Sequence, residues 1–248
     1  MTIRSPHRPW PLAWPDLPSP RRPGYGQGVL RLVQGIPVEL LATGIPEPLA
    51  DDVFGFLEEI AAAGHLHAGA VFRYGPILLR LSASIGAPGQ LRVVVPRYDD
   101  DGATDDAGPQ LAMCARQATL CTLLGVEPVW SSLDALLGVF GGPIGAAGAV
   151  YGRRLEEEGE EPGGVCGWLL ACADTPGTLD VAVAELDARY PDGVAPIRVG
   201  DLLASCPALL PALALPAGWG AQVQGDRLVA VYDPEGNETL PPAALARI

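Results

Sequence analysis

From His67 to Tyr98, apolar and polar positions alternate with a period of two. Leu79, Leu81, Ala83 and Ile85 fall on one side, and Arg80, Ser82 and Ser84 on the other. After Gly86-Ala87-Pro88-Gly89, Leu91, Val93 and Val95 alternate with Arg92 and Val94. Alternation bounded by Gly and Pro predicts two adjacent strands with one side buried. Upstream, VLRLVQGIPVELL predicts strand-like runs at Val29–Val33 and Val38–Leu41, split by Gly35 and Pro37. A proline there points to an edge strand, because it cannot donate to the ladder.

Elsewhere the period changes to that of a helix. Over Leu49–Ala63, Val53, Phe54, Leu57, Ile60 and Ala61 form an apolar stripe, Asp51 and Asp52 sit in the first turn, and Gly64 is the stop. Over Gln110–Leu124 the stripe is Leu111, Cys114, Ala115, Ala118, Cys121 and Leu124, ended by Gly125. Val126–Trp130 reads as a short strand and Ser132, with Asp134, as a helix start. Val165–Ala173 is apolar enough for a buried strand. Leu179, Val183, Leu186 and Tyr190 mark a helix entered at Thr175-Pro176, and Ala195–Val199 is a further strand. Asp201 caps a helix over Leu202–Leu210 that Pro207 limits. That order fits an α/β unit over 165–210, which would bring a parallel pair. Two closing strands, Ala221–Val223 and Leu228–Tyr232, read as a hairpin. The fold class expected is α+β: a mixed, largely antiparallel sheet with helices packed mainly on one face.

Residues 1–28 hold seven prolines together with Trp10 and Trp14, and read as a Pro-rich arm packed on the domain by its tryptophans. Residues 29–248 read as a single globular domain. A subdomain boundary is expected near 158–164, where the glutamates after Arg153-Arg154 run into Pro162-Gly163-Gly164.

Composition narrows the function. Apolar residues make up 48% of the chain, an ordinary globular share, so an extensive core is expected. A formal charge of −13 argues against nucleic acid or an anionic membrane as partner and favours a basic protein. The five cysteines show neither a paired framework nor zinc spacing, which points to a reducing compartment. With no apolar leader and no unbroken apolar run long enough to span a bilayer, a cytoplasmic location is expected.

Candidate chemistry is sparse. His65 and His67 face the same way without an evident third ligand, so no metal is expected. Asp99–Asp106, DDDGATDD, has Thr104 where a calcium loop needs glycine. GGPIGAAGAVYG, from Gly141 to Gly152, lacks the lysine of a phosphate loop and has no clear strand before it, so no cofactor is expected. Cys114 lies on the buried stripe of its helix and reads as an inert thiol. What remains is charge. Arg80 and Arg92 lie on the polar side of the strand pair. The acidic runs supply Asp99, Asp100, Asp101, Asp105 and Asp106, and Glu156, Glu157 and Glu158. The function expected is a non-enzymatic intracellular protein whose acidic surface docks or neutralises a basic protein partner, as an immunity protein, antitoxin or adaptor does. The alternatives are a small-molecule enzyme or ligand-binding protein using the Arg80/Arg92 face, and a structural or assembly subunit.

Overall fold

Gln34 and Gly35 both take positive φ, 48° and 84°, which is the backbone a two-residue hairpin turn requires. They join β1 (Val29–Val33) to β2 (Ile36–Leu40) in the computed structural model. The structure describes residues 28–96, 103–104, 106–140, 142–155, 165–173 and 194–246. The expected N-terminal arm, the boundary near 158–164 and the helix after Thr175-Pro176 lie outside the described residues. The chain divides into two compact units, Met1–Ala115 and Arg116–Ile248.

The first unit is built on a sheet of order β1-β2-β5-β4-β3, where β3 is Val71–Tyr74, β4 Ile77–Ala83 and β5 Leu91–Pro96. A two-residue strand, β6 (Ala103–Thr104), pairs with the far end of β5. All pairings are antiparallel except β2 with β5. Helix α1 (Glu47–Ala62) buries Leu49, Ala50, Val53, Phe54, Phe56, Leu57 and Ile60. Its Phe56 ring meets Phe72 edge-on at 6.4 Å and Tyr74 at 5.5 Å. Val38, Leu40, Leu79, Leu81, Val93 and Val95 complete this side of the sheet and are fully buried. Helix α2 (Gly108–Leu124) begins in this unit. A Cβ on Gly108 would stand 2.2 Å from the Thr43 carbonyl oxygen, so only glycine fits.

The second unit has a sheet of order β10-β7-β9-β8-β11-β12. Its strands are β7 (Leu136–Phe140), β8 (Ala149–Arg154), β9 (Val165–Ala173), β10 (Ala195–Arg198), β11 (Gly220–Gln224) and β12 (Arg227–Tyr232). Only β7 and β9 run parallel. Both sheets are thus mixed and mostly antiparallel and neither closes into a barrel among the described residues, which is the α+β class.

Several local readings change. β9 and β10 are not neighbours; β9 takes β7 as its parallel partner and β10 runs antiparallel to β7. Ile85 is 99% exposed, because β4 ends at Ala83 and the turn closes through Ser84 N donating to Gln90 O. β2 is an interior strand. Pro37 is tolerated because its nitrogen points away from β1 in the pair below the hairpin's closing pair, and pairing with β5 starts only at Val38. Val126–Trp130 forms no strand, and Ser132 caps a turn that leads into β7 instead of a helix. The helix expected over Leu202–Leu210 stops at Ser205. From Pro207 to Ala214 the chain continues as a 3-10 helix around Pro211. Proline has no N–H for the α-helical ladder and breaks it there.

Candidate functional site

On the side of the first sheet away from α1, the register places Arg80 opposite Val94 and Val71, and Arg92 opposite Ser82 and Glu39. Arg80 and Arg92 therefore share a face as diagonal neighbours, as the alternation required. Their states differ. Arg92 Nε donates to Glu39 Oε2 at 2.8 Å, with both side chains largely covered, and Gln90 Nε2 donates to the same oxygen at 3.4 Å. Arg80 is exposed. Anion capture by the two arginines together would first have to displace Glu39.

Of the acidic candidates, Asp106 is described, and it is committed to the backbone. Its Oδ1 accepts from Thr43 N and Gly108 N, each at 2.9 Å, which fixes the start of α2. Asp99, Asp100, Asp101, Asp105, Glu156, Glu157 and Glu158 lie outside the described residues.

An acidic surface that the loops drew attention away from lies on α1. Its sequence, EPLADDVFGFLEEIAA, carries five carboxylates and no basic residue. Glu47, Asp51, Glu58 and Glu59 are exposed. Glu47, Asp51 and Glu58 fall on one outward stripe at helical spacing. Asp52 turns inward and accepts from Tyr74 Oη at 2.6 Å. Burial, followed by the neighbouring Asp52 carboxylate, pushes the Tyr74 phenol far above its ordinary range. Asp51 accepts from the Arg31 guanidinium, which also stacks 4.9 Å from the Phe54 ring centroid. In sequence, Asp51 and Asp52 carry only the signal of acidic residues in a helix's first turn.

In the second unit, the Gly-rich segment is the connection between β7 and β8, so a strand does precede it. With residues from β8, β11 and the Ser205-Cys206 turn it borders a cavity of about 210 Å³, lined by Ile144, Gly145, Ala147, Ala149, Val150, Ser205, Cys206, Val223 and Gly225. The hydroxyl of Ser205 donates to Asp201 O at 2.8 Å. Burial raises the Cys206 thiol and holds it neutral. All five cysteines are buried and free. Desolvation lifts Cys172 to about 11 and Cys121 to about 12. A nucleophilic thiolate needs the opposite environment.

Arg154, which precedes the glutamate run in sequence, lies in β8 and is 2% exposed. Its Nη1 donates to the carbonyls of Val129 (2.8 Å), Leu215 (3.0 Å) and Leu213 (3.3 Å). Trp168 Nε1 donates to Leu213 O, Gln117 Nε2 to Leu210 O, and Cys121 Sγ to Ala214 O. Of these acceptors, Leu213, Ala214 and Leu215 lie at the end of the 3-10 helix, where its own ladder leaves carbonyls open. Arg154 is thus structural.

His65 and His67 follow α1 in the turn, where His67 is exposed and its Nδ1 lies 3.1 Å from Ala68 O. Among the described residues no three His, Cys, Asp or Glu side chains group to hold a metal. Nor, among them, is any helix long and apolar enough to cross a membrane. No family model, curated protein or solved structure matches the chain.

Proposed function

We propose that the chain is a non-enzymatic protein-binding protein that docks a basic partner, with the outer surface of α1 as part of its acidic contact. The observation that carries this reading is the run of exposed carboxylates Glu47, Asp51, Glu58 and Glu59 on a helix with no basic residue. A net charge of −13 gives the same sign at long range, and complementary charge acts mainly on encounter rate and partner choice.

The test is capture from the native cell by the full chain at about 50 mM and about 500 mM salt, because surface attraction is screened at the higher value. Wild type is compared with a Glu47→Lys/Glu58→Lys variant. The reading expects a stoichiometric basic protein that is lost both at high salt and with the variant. Recovery of the same protein by the variant, or no stoichiometric partner in either salt, would count against it.

A further inference from the structure

Among the described residues the two sheets have four outer edges, and three of them are guarded in the ways folded proteins use against unwanted strand pairing. Edge strand β10 carries Pro196. Beside β12, residues 238–239 lie along the edge: Tyr232 bridges to Glu238, and Thr239 N donates to Val231 O at 2.9 Å. Edge strand β3 is only four residues long and carries Arg73.

β1 differs. Its sequence VLRLV has no proline or lysine and pairs with β2 without a bulge. Its one charge, Arg31, is turned to the helix side and bonded to Asp51. On the other side Leu30 and Leu32 are 57% and 70% exposed. Thus, among the described residues, the β1 edge is open, with bare leucines on one side and the acidic helix α1 packed over the other.

Resting on the protein-binding reading above, we propose that β1 receives an extended segment of a basic protein partner as an added strand, in which apolar residues alternate with Lys or Arg. Backbone N–H and C=O groups of the segment pair with those of β1. Successive side chains of a strand point to opposite faces. Apolar side chains therefore cover Leu30 and Leu32 while the alternate, basic ones meet the exposed carboxylates of α1 other than Asp51, which Arg31 already engages. A helical or purely electrostatic ligand would leave the leucines and the strand edge uncovered.

Three labelled peptides and the full-length chain test this by fluorescence anisotropy: alternating Val-Lys, alternating Gly-Lys of equal charge, and Val-Lys with every second amide N-methylated. The proposal expects Val-Lys to bind at least about tenfold tighter than either of the others, because only it offers both strand donors and apolar cover. A Leu30→Gln/Leu32→Gln variant, at exposed positions that leave the core alone, should weaken Val-Lys by about tenfold. Amide exchange at Leu30 and Leu32, whose N–H groups point away from β2, should slow when that peptide is added. Equal binding of Gly-Lys and Val-Lys would overturn the added strand and leave the basic-partner reading standing, whereas no binding of either would overturn both. Leu30 and Leu32 amides already protected in the free chain would also overturn it, assigning the edge to the chain's own residues or, with a dimer in sedimentation, to a second copy.

Discussion

Replacing Arg154 by methionine keeps much of the side chain's apolar stem and removes the guanidinium. Three carbonyls then lose a donor at once, those of Val129, Leu213 and Leu215. Leu213 O keeps the Trp168 indole N–H at 3.2 Å, so the full loss falls on the other two. A buried polar group left without a partner costs about 1–3 kcal/mol, which gives roughly 2–6 kcal/mol for two. Against this, removing a buried cation relieves part of its desolvation, on the order of 1–2 kcal/mol after relaxation. Taking the middle of both ranges, the net expectation is a loss of about 2.5 kcal/mol, or a fall in Tm of roughly 5–10 °C for a chain of this size. Calorimetry and urea denaturation followed by the indole emission of Trp130, Trp168 and Trp219 would measure it. Trp168→Phe, which removes a single donor, should cost about 1 kcal/mol and serves as the scale. A methionine variant within about 0.5 kcal/mol of the parent would refute the reasoning, because Arg154 would then be no more than a tolerated passenger.

Tyr74→Phe removes the phenol that donates to Asp52 from a buried position, and should cost about 1–2 kcal/mol by urea midpoint with unchanged near-neutral solubility. In Gly152→Ala the new Cβ would stand 2.7 Å from Leu170 Cδ2 and 3.1 Å from two Trp168 ring carbons, so overpacking should cost about 1–3 kcal/mol in thermal denaturation. The thiols should titrate with the fold: Cys172 rises from 9.0 to about 11 and Cys121 from 9.0 to about 12, both chiefly by burial. The folded state then holds protons that the unfolded chain releases above pH 9. Their contribution to stability is whole below pH 9 and declines through the window from 9 to about 11 or 12, which a pH series of denaturation midpoints would register. In the same protein at neutral pH, a thiol reagent should modify the five cysteines slowly until denaturant is added.

How much was legible depended on whether a residue's role was written in its neighbours. Leu79, Leu81, Leu91, Val93 and Val95 announce the strand pair because one buried side imposes a period of two along the chain. Ile85 continues that period in sequence but lies beyond the last paired residue, where nothing covers it. β3 escaped notice because VFRY is short and Gly75, at φ 56°, turns it at once into β4. Ser132 and Asp134 have the chemistry of a helix cap, yet the LLGVF that follows is better covered between β9 and β10 than wound on itself. Arg154 was hidden by the charged residues around it. The one signal was alternation, because Val150, Gly152 and Arg154 fall on the same, buried side of β8. The acidic candidates were chosen by density, so the runs at 99–106 and 156–158 displaced the sparser but aligned carboxylates of α1.

The carbonyls of the 3-10 helix at Pro207–Ala214 also carry a consequence for biosynthesis. Their donors reside far upstream: Gln117 lies 93 residues before Leu210, Arg154 61 before Leu215, and Trp168 45 before Leu213. When β8 and β9 leave the ribosome, the Arg154 guanidinium has only the Val129 carbonyl to meet, and the Trp168 indole lacks its Leu213 acceptor, because residues 213–215 have not yet been made. A nascent second unit must keep these groups in water, or lend them to solvent or a chaperone, until residues 210–215 emerge. Long loop closures of this kind come late and are slow. Completion of this unit is therefore timed by the release of residues 207–215, and premature termination soon after β9 leaves Arg154 without the Leu213 and Leu215 carbonyls that receive it.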